Sequence, residues 1–360
     1  MEKLKVGVVG LRRGFAHVRI SNFTRHVLVT AICDIDRKQA DLVSQETGVK
    51  DVYYDYAEML AKADIDAVIV ASPIPLHVDH VIMALNAGKH VLSEVTCATT
   101  IEDLHRLCAA VRASDKKYML AENYCWIRPM TILRRLIDEG ILGEIYYAEG
   151  DYLKDFAFRS DFPHIGGWRE PTYFGRQGHP YITHSLGPLA TFMGEKMKTV
   201  VCMGAGRQYD LVADNTCSLM LKTEKGHMIQ LRNSFVSPRP DNFLYYSFQG
   251  TKGCYVAPQG PTDFHKIHIK GLCKPNEWKN IYDFEGLLPD EWKYPDSLHY
   301  ADKEDYDSGA PLMLDAFAKA VLDDTPVPVP LDDAVNWTAA GLLSKDSLLA
   351  GSRPIEVPTF

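Results

Sequence analysis

The chain has 360 residues, 46% hydrophobic and 24% charged, which is enough for two ordinary globular domains and excludes a disordered or fibrous chain. Its net charge is −8 with no block of like charge, so no basic footprint of a nucleic-acid binder shows. No apolar run approaches the roughly 18 residues of a membrane span. Lys3 and Lys5 flank the start of an apolar stretch that ends at Arg12 and Arg13, so it reads as a buried strand and not as a leader. Leu4 to Gly10 is that strand, continuous and apolar as a central parallel strand should be. A helix is expected from about Gly14, then a β-rich run from Val27 to Cys33 ending at Asp34. Asp36 caps the next helix, which stops near Gly48. Ala67 to Ser72 is a strand, Leu76 to Asn86 a helix, His90 to Glu94 a strand, 100–114 a helix and Tyr118 to Asn123 a strand. Strands alternating with helices predict an α/β fold, a Rossmann doubly wound parallel sheet over residues 1–123, which binds ligands beyond the carboxyl ends of its strands.

From 124 to 360 the pattern changes. Strands are expected at 144–153, 197–204, 215–222, 227–235, 244–249 and 265–270, several with apolar and polar residues alternating. That period predicts a large open, mostly antiparallel sheet. Helices are expected at 184–193, 310–323 and 331–349, and 310–349 is placed to pack back on the first domain. Residues 154–180, rich in Gly, Pro, aromatics and charges, read as an active-site loop.

Gly10-Leu-Arg-Arg-Gly14 lies at the first strand-to-helix turn, where backbone N–H groups can meet a pyrophosphate. The loop is short: Arg12 and Phe15 stand where a GxGxxG frame has its later glycines, and Gly14 is expected to open the helix. Asp34 strengthens the reading, because a carboxylate there accepts from ribose hydroxyls and repels a 2′-phosphate. NAD is therefore expected over NADP, although Arg37 could blunt the preference. The eight cysteines form no CxxC pair and no zinc spacing, so free thiols in a reducing cytoplasm and no metal site are expected.

Asp66 to Pro73, His77, Ala87 to Val91, Glu94, Glu122-Asn123, Gly140 to Ile145 and Gly250 to Gly253 resemble the Gfo/Idh/MocA oxidoreductases in order and spacing. The resemblance implies that Gly10, Arg12, Arg13, Gly14, Asp34, Ser72, Pro73, His77, Glu94 and Asn123 bind NAD. It also implies homodimers or homotetramers assembled through the outer face of the second sheet. Where the family's dehydrogenases carry Glu-Lys-Pro, this chain has Glu94-Val95-Thr96. The family lysine positions the reacting hydroxyl and helps move its proton; Val95 offers neither donor nor charge. Gly167-Trp168-Arg169, Gly178 to Pro188 with Tyr181 and His184, and Pro238-Arg239-Pro240 are similar to the NAD-dependent glycosidases of glycoside hydrolase family 109.

That similarity implies Tyr181 and His184 as the acid–base residues, although a packed tyrosine and a helix-terminal histidine would look the same in sequence. Trp168 and Arg169 suit a sugar platform with a polar clamp. Glu122, Glu149, Tyr152, His179 and Arg239 complete the candidate substrate contacts, with His164 beside them and Asp151 on the face of Glu149. The reaction implied is glycoside hydrolysis by transient oxidation at C3, elimination across C1–C2, water addition and hydride return. Three alternatives remain: a sugar or inositol dehydrogenase using His184 or Tyr181 in place of lysine, an enzyme that only oxidises or only eliminates, and a non-catalytic NAD-binding protein.

Overall fold

The computed structural model describes residues 2–156, 167–169, 172, 175–208, 213–240, 244–294 and 303–360. The chain divides into two compact units: one of residues 1–126, 294–335 and 360, the other of 127–293 and 336–359. Residues 294–335 thus group with the first unit and residues 336–359 with the second.

The first unit holds strands β1 (Leu4–Val9), β2 (Val27–Cys33), β3 (Asp51–Tyr53), β4 (Ala67–Val70), β5 (His90–Ser93) and β6 (Tyr118–Leu120). They form one sheet in the order β3-β2-β1-β4-β5-β6, every pair parallel. Helices α1 (Leu11–Ile20), α2 (Arg37–Thr47), α3 (Tyr56–Lys62), α4 (His77–Asn86) and α5 (Ile101–Ala113) provide the crossovers. Val6, Val8, Val68, Ile69, Val91 and Leu92 are at most 1% exposed, which is why these strands read as unbroken apolar runs. Each such side chain contributes about 1.5–3 kcal/mol by leaving water.

β3 and α3 are among the elements of this unit that went unread in the sequence. β3 is only three residues long, and α3 is capped by Asp55, whose carboxylate accepts from Glu58 N at 2.8 Å. Asp36 caps α2 through Gln39 N, and Gly48 closes it in the left-handed conformation, as expected.

The second unit opens with α6 (Arg128–Asp138), followed by β7 (Ile145–Leu153), α7 (Thr183–Met193), β8 (Met197–Gly204), β9 (Thr216–Thr223), β10 (Met228–Ser234), β11 (Tyr246–Gly250), β12 (Gly253–Val256), β13 (Lys266–Ile269) and β14 (Lys279–Asn280). In chain order α8 (Lys303–Asp307) and α9 (Ala310–Leu322) then belong to the first unit, before α10 (Leu331–Leu349) and β15 (Ile355–Glu356). The nine strands run β14-β13-β12-β11-β7-β10-β9-β8-β15. All pair antiparallel except β7 with β10, so the sheet is mixed and mostly antiparallel. Leu219, Leu221, Ile229 and Leu231 fill its inner face, each at most 1% exposed. α7 packs on that face against β7: a Cβ on Gly150 would lie 2.5 Å from Ser185 O, so only glycine admits the helix there.

Candidate active site

In the first unit, the turn after β1 is set by Gly10. Its φ is +88°, and a Cβ on it would lie 2.5 Å from the Ser72 backbone nitrogen. Gly10 therefore brings the ends of β1 and β4 together, and its own N–H donates to Cys33 O on β2 at 2.9 Å. α1 begins at once at Leu11, so Gly14 does not open the helix as expected. It lies one turn inside, where a Cβ would meet Val8 Cγ1 at 2.6 Å, and it serves close packing of helix on strand. The backbone N–H groups of Leu11, Arg12 and Arg13 form the first turn of α1.

Asp34 Oδ2 accepts from Leu11 N at 2.6 Å, and Oδ1 accepts from Asp36 N at 2.9 Å. A carboxylate has about four acceptor positions, so two remain for a ribose diol. Ile35, next in the chain, is 90% exposed and offers an apolar face beside that carboxylate. Arg12 stands 3.8 Å from Asp36 with its side chain largely in solvent. The Arg37 guanidinium stacks 4.1 Å from the Tyr54 ring centre, and Tyr54 Oη donates to Asp41. That contact draws Arg37 away from the 2′-phosphate role it could have taken.

At the ends of β4 and β5, Ser72 Oγ is buried with no hydrogen-bond partner among the described residues, an orphan that a cofactor hydroxyl or amide would satisfy. Pro73 starts a 3₁₀ turn over 74–76. His77 was expected to touch cofactor. Instead its ring is 1% exposed, with its nitrogens 2.8 Å from Ser72 O and 2.9 Å from Thr96 O. Burial lowers its pKa, and it acts as a clamp between these two segments. Glu94 ends β5. Its Oε1 accepts from Arg13 Nε at 2.6 Å and from His17 Nε2 at 2.7 Å. Burial alone would raise the Glu94 carboxyl, but the Arg13 charge and the His17 hydrogen bond outweigh it and hold the pKa far below the usual range. Val95 is buried, and the Val95–Thr96 peptide is cis. Asn123 Nδ2 donates to Ser308 O at 2.7 Å, which turns the amide and leaves its carbonyl oxygen and second N–H for a ligand. Glu122 is fully buried and accepts from Tyr124 N, so the substrate contact expected of it has no exposed surface to work through.

In the second unit, Tyr181 Oη and His184 Nε2 are 3.1 Å apart at the mouth of α7. The Tyr152 ring stands 5.1 Å from His184 and 5.6 Å from Tyr181. The backbone around the pair is tied down: Tyr246 Oη donates to His184 O at 2.5 Å, and Asn233 Nδ2 donates to Tyr181 O at 3.2 Å. Ser185 Oγ in turn donates to Asn233 Oδ1 at 3.0 Å. The Arg169 guanidinium lies 4.4 Å from the Trp168 ring centre, a stacked cation on an indole face.

His179 was a candidate substrate contact. It is 1% exposed, packed 4.3 Å from the Phe235 ring, and burial pushes its pKa down to about 3, so it is a neutral core residue.

Glu149 and Arg239 are separated from this group by the sheet itself. Side chains alternate along β7, so Gly150 and Tyr152 face α7 while Tyr147, Glu149 and Asp151 face the other way. Glu149 accepts from Tyr147 Oη at 2.7 Å and from Tyr245 Oη at 3.0 Å. Asp151 is buried beneath Arg232, with Arg239 at 3.6 Å. These are contacts of the outer face. His164 lies outside the described residues. Sequence reading missed His17, Ile35, Asn233 and Tyr246; the one available signal was that His17 follows Arg13 by four residues and so shares its helix face.

Among the described residues, no group of three or more His, Cys, Asp or Glu side chains is placed to hold a metal ion, and no helix is long and apolar enough to cross a membrane. Their cysteines are all free.

Residues 4–122 match the oxidoreductase family NAD-binding Rossmann fold of Gfo/Idh/MocA proteins. Residues 130–256 match the Gfo/Idh/MocA C-terminal domain, and residues 207–360 match the C-terminal domain of glycosyl hydrolase 109. A glycosyl hydrolase family 109 protein of Shewanella putrefaciens is 25% identical over 100% of this chain and 85% of its own length. The alpha-N-acetylgalactosaminidase of Shewanella oneidensis is likewise 25% identical over 100% of this chain and 85% of that protein. The solved scyllo-inositol dehydrogenase of Lactobacillus casei, with bound NAD(H) and scyllo-inositol, superposes with a TM-score of 0.76 at 21% identity, covering 99% of each chain. The cofactor is NAD, and the Asp34 carboxylate, the orphaned Ser72 hydroxyl and the first turn of α1 fit it. With its NAD-binding and C-terminal domains both of one family, the chain belongs to the Gfo/Idh/MocA oxidoreductases.

Proposed function

We propose that this protein hydrolyses a glycoside and restores its NAD in every turnover. The observation that carries the reading is the Tyr181–His184 pair, 3.1 Å apart, in a chain with Val95 where a dehydrogenase carries lysine. When bound, NAD supplies a hydride acceptor for C3 of the sugar and gives the hydride back after cleavage. A C3 ketone acidifies the neighbouring C2–H, so the protein must take a proton from C2, release the group at C1 and return a proton after water adds.

A histidine and a phenol in hydrogen-bond contact can pass that proton in both directions. Tyr246 and Asn233 fix the backbone of the pair, which favours one geometry through both half-reactions. Tyr152 beside the pair, and Trp168 with Arg169, supply aromatic surface of the kind that packs on sugar rings. The similarity of residues 207–360 to the glycosyl hydrolase 109 C-terminal domain supports the same reading. The protein is further proposed to work in the cytoplasm as a homodimer or homotetramer.

A second reading is a dehydrogenase that oxidises a free sugar or inositol, with His184 or Tyr181 as base. It is favoured by the fold shared with scyllo-inositol dehydrogenase. The two differ in stoichiometry. A glycosidase releases aglycone from an aryl glycoside with no net NADH; a dehydrogenase accumulates NADH in proportion to product. Steady NADH formation on free sugars, with no aglycone from any aryl glycoside, would overturn the first reading.

A further inference from the structure

We infer that Arg13 and His17 are positioning residues that act on NAD through Glu94, holding this carboxylate ready for the ribose of the nicotinamide half. The inference rests on NAD binding and does not depend on the choice between glycosidase and dehydrogenase.

Asp34 ends β2 and lies on one side of the switch point between β1 and β4. If its carboxylate takes the adenosine ribose, the other nucleoside must extend over the ends of β4 and β5, where Glu94 stands. Glu94 is 6% exposed, and a buried carboxylate without partners is costly. In this chain the next residue is Val95, which brings no charge. The counter-charge comes instead from α1, the helix that begins at the phosphate loop.

Arg13 and His17 are four residues apart on one face of that helix, and both donate to the same oxygen, Oε1, at 2.6 and 2.7 Å. Among the described residues the other oxygen, Oε2, accepts a long contact from Val95 N at 3.3 Å. His17 Nδ1 has no partner among the described residues, so its ring serves Glu94 alone. One oxygen is thus pinned twice while its twin keeps its acceptor positions. That asymmetry orients an acceptor for a hydroxyl donor and links the phosphate-binding helix rigidly to the second ribose.

The test uses the full chain and the variants Arg13→Gln, Arg13→Lys, Glu94→Gln and the double variant. Dissociation constants for NAD and for ADP, which lacks the second nucleoside, are measured by quenching of tryptophan fluorescence. Wild-type NAD binding checks the premise, and ADP binding by each variant checks that the first unit is folded. Arg13→Gln is expected to weaken NAD about tenfold and ADP by less than about twofold, as loss of one charge-assisted contact would do. Arg13→Lys should recover most of the NAD affinity. In the Glu94→Gln background, Arg13→Gln should add nothing further, because its route to NAD is already cut. If ADP weakens as much as NAD, or if the two substitutions multiply, Arg13 contacts the diphosphate directly and the inference fails. If Glu94→Gln leaves NAD affinity unchanged, Glu94 does not reach the second ribose and the inference fails as well.

Discussion

Replacing Asp34 separates the two duties of its carboxylate. Oδ2 satisfies Leu11 N at 2.6 Å inside the turn, and Oδ1 satisfies Asp36 N at 2.9 Å near solvent. In Asp34→Ala the Leu11 N–H loses a charge-assisted partner at a residue that is fully buried, a cost of about 1.5–3 kcal/mol. Loss of negative charge at the start of α1 adds roughly 0.3–1 kcal/mol, while water can replace the bond to Asp36 N. Stability should therefore fall by about 2–4 kcal/mol, read as a lower midpoint in urea at unchanged slope. Cofactor binding should suffer separately. Two hydroxyl-to-carboxylate bonds disappear, so the NAD dissociation constant should rise by roughly 10- to 100-fold. Asp34→Asn keeps the shape and one carbonyl acceptor for Leu11 N, so it should recover most of the stability but not the discrimination. Its NAD-to-NADP preference should narrow at least about tenfold, because the repulsion of a 2′-phosphate is gone. Fluorescence titration with both dinucleotides reads this directly. If Asp34→Asn binds NAD as tightly as wild type and still excludes NADP, Asp34 does not face the adenosine ribose.

Gly10→Ala combines a left-handed φ with a Cβ 2.5 Å from the Ser72 backbone. It should cost about 2–4 kcal/mol and lower the melting temperature by roughly 5–15 °C; a change under about 2 °C would mean the turn relaxes freely. Stability should also fall in mild acid. Burial lowers the pKa of His179 to about 3 and of His265 to about 4, so between these values and the ordinary histidine value the unfolded chain binds protons that the folded chain refuses. Stability is then lost as pH drops below about 6.5, by at most about 1.4 kcal/mol per pH unit for each histidine and less for the part-exposed His265. His179→Phe should flatten part of that slope in urea titrations across pH, and an unchanged slope would contradict the assignment. On the outer face of the second sheet, Met203 is 63% and Met220 46% exposed. If copies assemble there, the double substitution to Lys should convert a dimer or tetramer to monomer in light scattering. A monomeric wild type, or an assembly indifferent to the change, would refute it.

Much of the first unit was legible because its central strands are buried on both faces and therefore unbroken in sequence. β3 and β14 were missed because three and two residues carry no period. α6 escaped despite its signals, Pro129 in the first turn and Met130, Leu133 and Leu136 at helical spacing. The site was harder. Alternation put Glu149 and Asp151 on a common face but did not say which face meets α7. Gly150 held the answer: a glycine inside a strand marks a close backbone approach, here Ser185 O, and so turns its odd-numbered neighbours outward. His77 and His179 were expected as ligands from the family resemblances; only three-dimensional packing reveals that both are 1% accessible.

The claim that NAD is borrowed and returned is tested most directly by cleaving an aryl glycoside in D2O and reading the released sugar by NMR. The account predicts deuterium at C2, from the proton removed and replaced through Tyr181 and His184, with the original hydrogen retained at C3 and no net NADH. It further predicts that His184→Gln slows cleavage and C2 exchange together, by roughly 10²–10⁴-fold. A released sugar with no deuterium at C2, or a 3-keto product accompanied by an equivalent of NADH, would contradict it.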